Sequence, residues 1–292
     1  MTATQRISQA LDAVLCNAAS AGCPPRLAAA VRQAVFPGGA RIRPHLCLAV
    51  ALAHGDDDPA LSNAAAAALE LLHCASLVHD DLPCFDDAAT RRGQPTVHRR
   101  YGERVAVLAG DALIVLAFET LSQAALLHPL RLPGLLLTLT RGVGMPVGIT
   151  AGQAWECEDH VPLREYHRLK TGALFAAATM AGAQAAGADP APWRLLGERL
   201  GEAYQLADDI RDVAAAPDWL GKPVGRDALL GRPSVVREFG AAGAVRQFQQ
   251  MVEEAVDAVP RCSGAPHLRE LVRSESERLV PTAMRLDLAR AA

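Results

Sequence analysis

The stretch that most constrains this chain joins the apolar segment AAAAALELLHCASLV, residues 64–78, to HDDLPCFDDAATRRGQPTV, residues 79–97. The first part reads as an apolar helix. At its end four carboxylates, Asp80, Asp81, Asp86 and Asp87, fall within eight positions, and Arg91 and Arg92 follow. Like charges this close destabilise a fold unless a cation or a hydrogen-bond network compensates them. Any fold must therefore bring an apolar helix, an acidic knot and a source of positive charge to one place. Pro83 biases Leu82 out of the helical region, so the helix ends or kinks there and a bulged turn returns Asp86 toward Asp80.

A second apolar helix ends the same way, in YQLADDIRD, with Asp208, Asp209 and Asp212. Asp208 and Asp212 are four residues apart and stack on one helix face. A single Asp pair most often caps a helix or faces solvent. Two such pairs, each followed by basic residues, point to a metal–phosphate site, because Mg²⁺ is usually held by one or two carboxylates plus substrate phosphates. The basic residues are Arg91 and Arg92 after the first cluster, Lys170 with Thr171 in YHRLKTGALF, and Lys222 in LGKPVGRD. Guanidiniums bind phosphate through paired hydrogen bonds and lysine acts as a point charge. In GGARIRPHL, Arg41 and Arg43 follow two glycines where backbone can approach an anion.

Composition places these motifs in an all-α fold. Aromatics are only 4% of the 292 residues and few segments alternate Val, Ile and Thr as strands do. The patterns and their Gly, Pro, Asp and Ser punctuation predict helices over 4–20, 25–35, 41–54, 60–81, 103–126, 131–155, 163–187, 190–214, 227–238, 241–258 and 266–290. No linker divides the chain, so one domain over 1–292 is expected. The net charge of −3 and scattered Lys and Arg argue against a nucleic-acid partner. Seven cysteines without a CxxC pair argue against a disulfide framework or zinc site and fit a reducing cytoplasm. No signal peptide and no transmembrane segment is expected, since no apolar run reaches about 18 uninterrupted residues.

GGxRxRP, HDDLPxxDDxxxRRGxPT, GQxxE, KTGALF, YQxxDDxxD and GKPxGxD, in this order from about residue 36 to 236, resemble the trans-isoprenyl diphosphate synthases, or polyprenyl synthetases. Within that family the sequence is most similar to bacterial geranylgeranyl diphosphate synthases. The resemblance implies a helical bundle around a deep central cavity, a homodimer, and head-to-tail condensation of isopentenyl diphosphate with allylic diphosphates. It implies that Asp80, Asp81 and Asp86, with Asp208 and Asp212, hold Mg²⁺, with Asp209 a ligand or a neighbour of one. Arg91, Lys170 and Lys222 would bind the allylic diphosphate, with Thr171 and Gln205 orienting it. Arg43, His73 and Arg92 would bind the isopentenyl diphosphate, Gln153 and Glu156 would position neighbours, and His79 would stand behind Asp80.

Tail length follows from helix geometry. At about 1.5 Å per residue, Ala75 lies roughly 7.5 Å below Asp80. Farnesyl-forming bacterial relatives usually carry a bulky aromatic at the matching place. Ala75 and Ser76 leave room for a growing tail, with Leu72 and Leu71 as candidate floors, so a twenty-carbon product is expected and farnesyl diphosphate is the runner-up. Two positions depart from the family pattern. Ala40 stands where a lysine is usual, with Arg41 as a candidate replacement, and Arg232 replaces a common lysine. A terpene cyclase would not need two diphosphate sites, and a non-catalytic subunit would carry degraded aspartate motifs.

Overall fold

Helix α4, Pro59–Asp80, is the element around which the others are arranged. Its start is fixed by Asp58, whose side chain accepts from the Leu61 N–H at 3.1 Å, and by Pro59 in the first turn. Leu61, Leu69, Leu71 and Leu72 are buried to within 1% exposure, each contributing on the order of 2 kcal/mol of gross burial free energy. Along the middle, Ala65–Ala68 are fully buried, so neighbouring helices approach closely. The computed structural model describes residues 1–36, 38–160, 162–214, 235–281 and 284.

Around α4 lie α1 (Ala3–Ala18), α2 (Pro25–Val35), α3 (Ile42–Ala53), α6 (Glu103–Ala124), α7 (Leu132–Val143) and α10 (Ala173–Ala185). A two-residue antiparallel hairpin, β1 (Thr90–Arg91) and β2 (Gln94–Pro95), and short α5 (Val97–Tyr101) follow α4. Then α8 (Ile149–Ala154) and α9 (Leu163–His167) lead through a π-helical turn, Arg168–Gly172, into α10. The bundle is completed by α11 (Arg194–Ala214), α12 (Val235–Asp257, kinked at Gly240) and α13 (Ala265–Leu279).

The all-α expectation holds, with local differences. The helix expected over 131–155 divides into α7 and α8, because Pro146 cannot donate to the helical ladder and Gly144 leaves helical geometry. The helix expected over 163–187 is interrupted by the π turn, where Lys170 and Thr171 sit; such turns are frequent at functional sites. Most of 227–238 and the end of 266–290 lie outside the described residues. Two helices, α4 and α6, each of 22 residues, are long and apolar enough to cross a membrane by length and composition, although Glu70 and Asp111 interrupt their apolar runs. For α4 the reason is its place in the core, with 78% of the apolar window buried, whereas α6 is buried over only 33% of its window.

Candidate active site

The end of α4 is built by backbone hydrogen bonds. Asp81 N–H donates to Leu77 O at 3.0 Å, Leu82 N–H to His79 O at 3.1 Å, and Asp86 N–H to Asp80 O at 3.0 Å. The turn therefore returns Asp86 to Asp80, as Pro83 led us to expect. Asp87 N–H donates to Leu82 O at 3.0 Å, and Asp87 takes φ 44°. A left-handed conformation is tolerated by Asp and Asn better than by most side chains.

The four carboxylates separate by direction. Asp80 and Asp86 line a cavity of about 850 Å³, together with Asp208 and Asp209 from α11. Asp81 does not line it; it is 4% exposed and held by Arg91, whose Nε donates to both carboxylate oxygens at 2.8 and 2.9 Å and Nη2 to Oδ1 at 2.6 Å. Burial disfavours the Arg91 guanidinium, yet its hydrogen bonds to Asp81 and the charges of Asp81, Asp80 and Asp86 hold its pKa above the ordinary arginine value. Asp87 points outward, to Arg99 Nη2 at 2.9 Å and toward His98 Nε2 at 3.6 Å.

Opposite these, the π turn carries Lys170 into the cavity, where its Nζ donates to Glu156 Oε1 at 2.5 Å and stands 3.9 Å from Asp80 Oδ1. Glu156 also accepts from Gln153 Nε2 at 2.9 Å and from the Tyr166 hydroxyl. Close approach of α8 makes this meeting possible, since a Cβ on Gly152 would fall 2.3 Å from the Lys170 backbone nitrogen. Thr171 Oγ1 donates to Gln205 Oε1 at 2.9 Å, and Gln205 Nε2 to Asp209 Oδ1 at 3.2 Å. Asp208 accepts from Arg211 Nη2 at 2.7 Å.

Burial, countered most by the Lys170 charge, raises the Asp80 carboxyl above the usual carboxylate range. Its Oδ1 is buried and lacks a hydrogen-bond donor. Among the described residues no three His, Cys, Asp or Glu side chains form a complete metal cage.

Arg43, His73 and Arg92 also line the cavity. The Arg43 guanidinium lies 4.4 Å from the Phe175 ring centroid and 5.8 Å from that of Tyr204, and burial lowers its pKa. Burial, then the charges of Arg43, Arg92 and Arg91, hold His73 well below the ordinary imidazole value, so it is neutral. Arg41 turns the other way, its Nη1 donating to Ser8 Oγ at 2.8 Å, and cannot replace the cation missing at Ala40. His79 lies against α6 instead of behind Asp80, its Nε2 3.3 Å from Val107 O and 3.8 Å from Asp111 Oδ1.

Ala75, Ser76 and Leu72 line the cavity, as expected of a tail channel. Leu71 does not; it is fully buried in the core on another face of α4. The apolar wall is completed by Ile114, Val143 and Leu174, from α6, α7 and α10, which the sequence reading missed because helical periodicity does not say which helices adjoin. Tyr166 and Tyr204 were also missed, although each sits four residues before a chosen position, Lys170 and Asp208. The side chain of Asp212 and the whole of Lys222 and Arg232 lie outside the described residues.

A model of the family described as polyprenyl synthetase matches residues 24–265. The geranylgeranyl diphosphate synthase of Cereibacter sphaeroides is 53% identical over 281 residues, 96% of this chain and 98% of that protein. That of Rhodobacter capsulatus is 47% identical over 96% and 97% of the two chains. Among solved structures, a geranyltransferase from Helicobacter pylori, complexed with magnesium and isoprenyl diphosphate, superposes with TM-score 0.82 at 29% identity, covering 94% of this chain and 96% of that one. With two acidic helix ends on one cavity and this likeness along nearly its whole length, the chain belongs to the polyprenyl synthetase family.

Proposed function

We propose that this protein condenses isopentenyl diphosphate head to tail with allylic diphosphates, with geranylgeranyl diphosphate as the product. One observation carries the reading: carboxylates at the ends of two helices distant in sequence, Asp80 and Asp86 with Asp208 and Asp209, line a single cavity whose remaining wall includes Leu72, Ala75, Ile114 and Leu174. A polar end suits diphosphates and an apolar wall suits a growing hydrocarbon tail.

Magnesium fits this donor set, because the buried Asp80 Oδ1 has no hydrogen-bond donor and Asp86, Asp208 and Asp209 offer further carboxylate oxygens to the same cavity. Asp80, Asp86 and Asp208 would hold the ions, joined by Asp212 on the strength of the family resemblance, with Asp209 a ligand or a neighbour of one. When bound, Mg²⁺ supplies positive charge that stabilises the leaving diphosphate oxygens. Asp81 acts through Arg91, fixing a guanidinium beside the allylic diphosphate. Lys170 adds a second cation, and the Thr171–Gln205 hydrogen bond holds the π turn against α11. Arg43, His73 and Arg92 take the isopentenyl diphosphate.

The chemistry asks for no protein nucleophile. Breaking the allylic carbon–oxygen bond places positive charge on carbon and negative charge on the departing oxygens, which fixed cations stabilise at no reorganisation cost. Attack by the isopentenyl double bond is then a matter of alignment, and the departing diphosphate takes the released proton. Ala75 and Ser76 leave the tail channel open beyond fifteen carbons. The chain acts as one domain and as a homodimer, a state favoured by Leu108, Val115 and Leu137, exposed on α6 and α7. Its free cysteines are in keeping with a cytoplasmic setting.

The test is incubation of the purified protein with isopentenyl diphosphate and each allylic primer, with and without Mg²⁺, followed by measurement of product length. A twenty-carbon product that requires Mg²⁺ is expected. A product ending at fifteen carbons would correct the length, and no elongation of any primer would overturn the reading.

A further inference from the structure

One buried carboxylate has no part in the site as described so far. Glu70 sits in mid-α4, one turn before His73 and Cys74, and is 1% exposed. Its Oε1 lies 4.0 Å from Arg41 Nε and accepts from Cys74 Sγ at 3.9 Å. Arg41 is fastened from its far side by Ser8 and by the Phe36 ring, whose centroid lies 5.0 Å from the guanidinium. Arg92 reaches the same region from the hairpin, lining both the cavity and the small pocket that Cys74 also lines.

The two glycines before Arg41 make room for these groups. A Cβ on Gly38 would fall 2.8 Å from Arg41 Nε, and one on Gly39 would fall 2.8 Å from Arg92 Nη2. The segment GGAR is therefore a pair of slots in which two guanidiniums lie against backbone. Arg43 lines the cavity as well, against Phe175 and Tyr204. Burial disfavours the charged form of Glu70, and the charges that oppose this are Arg92, Arg41 and Arg43, in that order.

Two guanidiniums approach one buried carboxylate, Arg41 at 4.0 Å and Arg92 in the pocket that Cys74 also lines, and their like charges repel. Without that carboxylate each would move toward water, since an uncompensated buried charge is strongly unfavourable. We infer that Glu70 is a positioning residue for the isopentenyl diphosphate: it keeps Arg92 at the cavity wall, while Gly38 and Gly39 leave space for the guanidiniums. The identity of the ligand rests on the function proposed above. Ala40 makes the device more important in this chain, because no lysine at that position adds a further cation.

An opposing effect fixes what the test must discriminate. Removing a negative charge beneath an anion site strengthens the attraction for diphosphate if the guanidiniums stay in place. Loss of the charge that holds Arg92 in place outweighs that gain, so weaker binding is expected. In Glu70→Gln, which keeps shape and removes charge, KM for isopentenyl diphosphate should rise roughly tenfold, the equivalent of one charged hydrogen bond. KM for the allylic substrate should stay within about twofold, because Arg91 and Lys170 have their own partners, Asp81 and Glu156.

Gly39→Ala, which pushes Arg92 from the opposite side, should give the same one-sided defect. Inorganic pyrophosphate, titrated calorimetrically without metal, should bind Glu70→Gln roughly tenfold more weakly than wild type. This arm reads the guanidiniums even if the wild type elongates no primer, so failure of the proposed reaction and failure of the positioning role are separable. Unchanged or tighter pyrophosphate binding by folded Glu70→Gln, or equal losses for both substrates, would overturn the inference.

Discussion

At the end of α4 the chain breaks at Pro83 and doubles back, whereas α11 carries its aspartates on helix that runs unbroken to residue 214. The broken end holds four carboxylates and pairs two of them at hydrogen-bond distance with arginines, Asp81 with Arg91 at 2.6 Å and Asp87 with Arg99 at 2.9 Å, while Lys170 stands 3.9 Å from Asp80. The unbroken end has its partners one turn away, Arg211 for Asp208 and Gln205 for Asp209. A turn crowded with like charges needs internal counter-charges to exist before any ligand arrives, while a helix spaces its acids by geometry alone. Density of aspartate therefore does not by itself say which acids of the first cluster face the cavity.

The comparison breaks most visibly if the cavity-facing acids prove dispensable. Asp80→Asn should lower kcat by about 10³-fold, because charge stabilisation on the leaving group is the main catalytic term. Asp208→Asn should approach that loss without matching it, since Arg211 already compensates part of its charge. Asp81→Asn should cost less, roughly 10- to 100-fold, as expected of a residue that orients a group in contact with substrate. It should also lower the melting temperature, because Arg91 then loses a nearly buried partner. If Asp81→Asn equals Asp80→Asn in kcat while the melt is unchanged, the division between the two acids is wrong.

The apolar wall sharpens the comparison from the other side. Ala75 is 1% exposed yet borders the cavity, so Ala75→Tyr places an aromatic ring in the tail's path. The expected result is a shift from twenty to fifteen carbons with little change in the first condensation. Unchanged product length would move the floor away from α4, to Ile114 or Leu174.

A pH test concerns His73. The folded chain holds His73 neutral, through burial and then the charges of Arg43, Arg92 and Arg91, whereas the unfolded chain takes up a proton near pH 6.5. The unfolded state then binds more protons below that value, so this contribution to stability is present above about pH 6.5 and is lost as pH falls. His45 and His54, also lowered by burial, act in the same direction. His73→Gln should therefore melt with a shallower decline than wild type between about pH 7 and pH 5. Parallel curves would show that His73 takes up its proton in the folded chain over the same pH range as in the unfolded chain.

Much of this was legible in the chain, and what was not has a common geometric cause. Patterning placed α2 and α6 within two residues, and Pro83 foretold the return of Asp86. The misreadings came from taking near neighbours on one helix as partners. Asp81 is turned to Arg91 and Leu71 into the core, whereas Asp208 with Asp209 and Ala75 with Ser76 do share the cavity, so a step of about 100° per residue leaves which neighbours face it to the surrounding packing. Arg41 and Arg43, two apart, diverge for the same reason, one toward Ser8 and the other toward Phe175. The identity of the opposite wall was beyond reach, because it depends on which helices the bundle sets beside α4.

The smallest effect belongs to Asp87, the acid most easily mistaken for a ligand because it completes the DD pair. Its side chain is 53% exposed and pairs with a half-exposed Arg99, an arrangement worth about 0–1 kcal/mol. Asn retains the tolerance for φ near 44° that this position requires, so Asp87→Asn should leave the turn intact. Activity within about threefold of wild type is the expected outcome, since the group reaches no substrate-facing cation and the turn is held chiefly by backbone hydrogen bonds. A loss as large as that of Asp81→Asn would mean that the outward acid feeds charge into the cavity after all, and the contrast between aspartates that hold the turn and aspartates that face the substrate would fail at its weakest point.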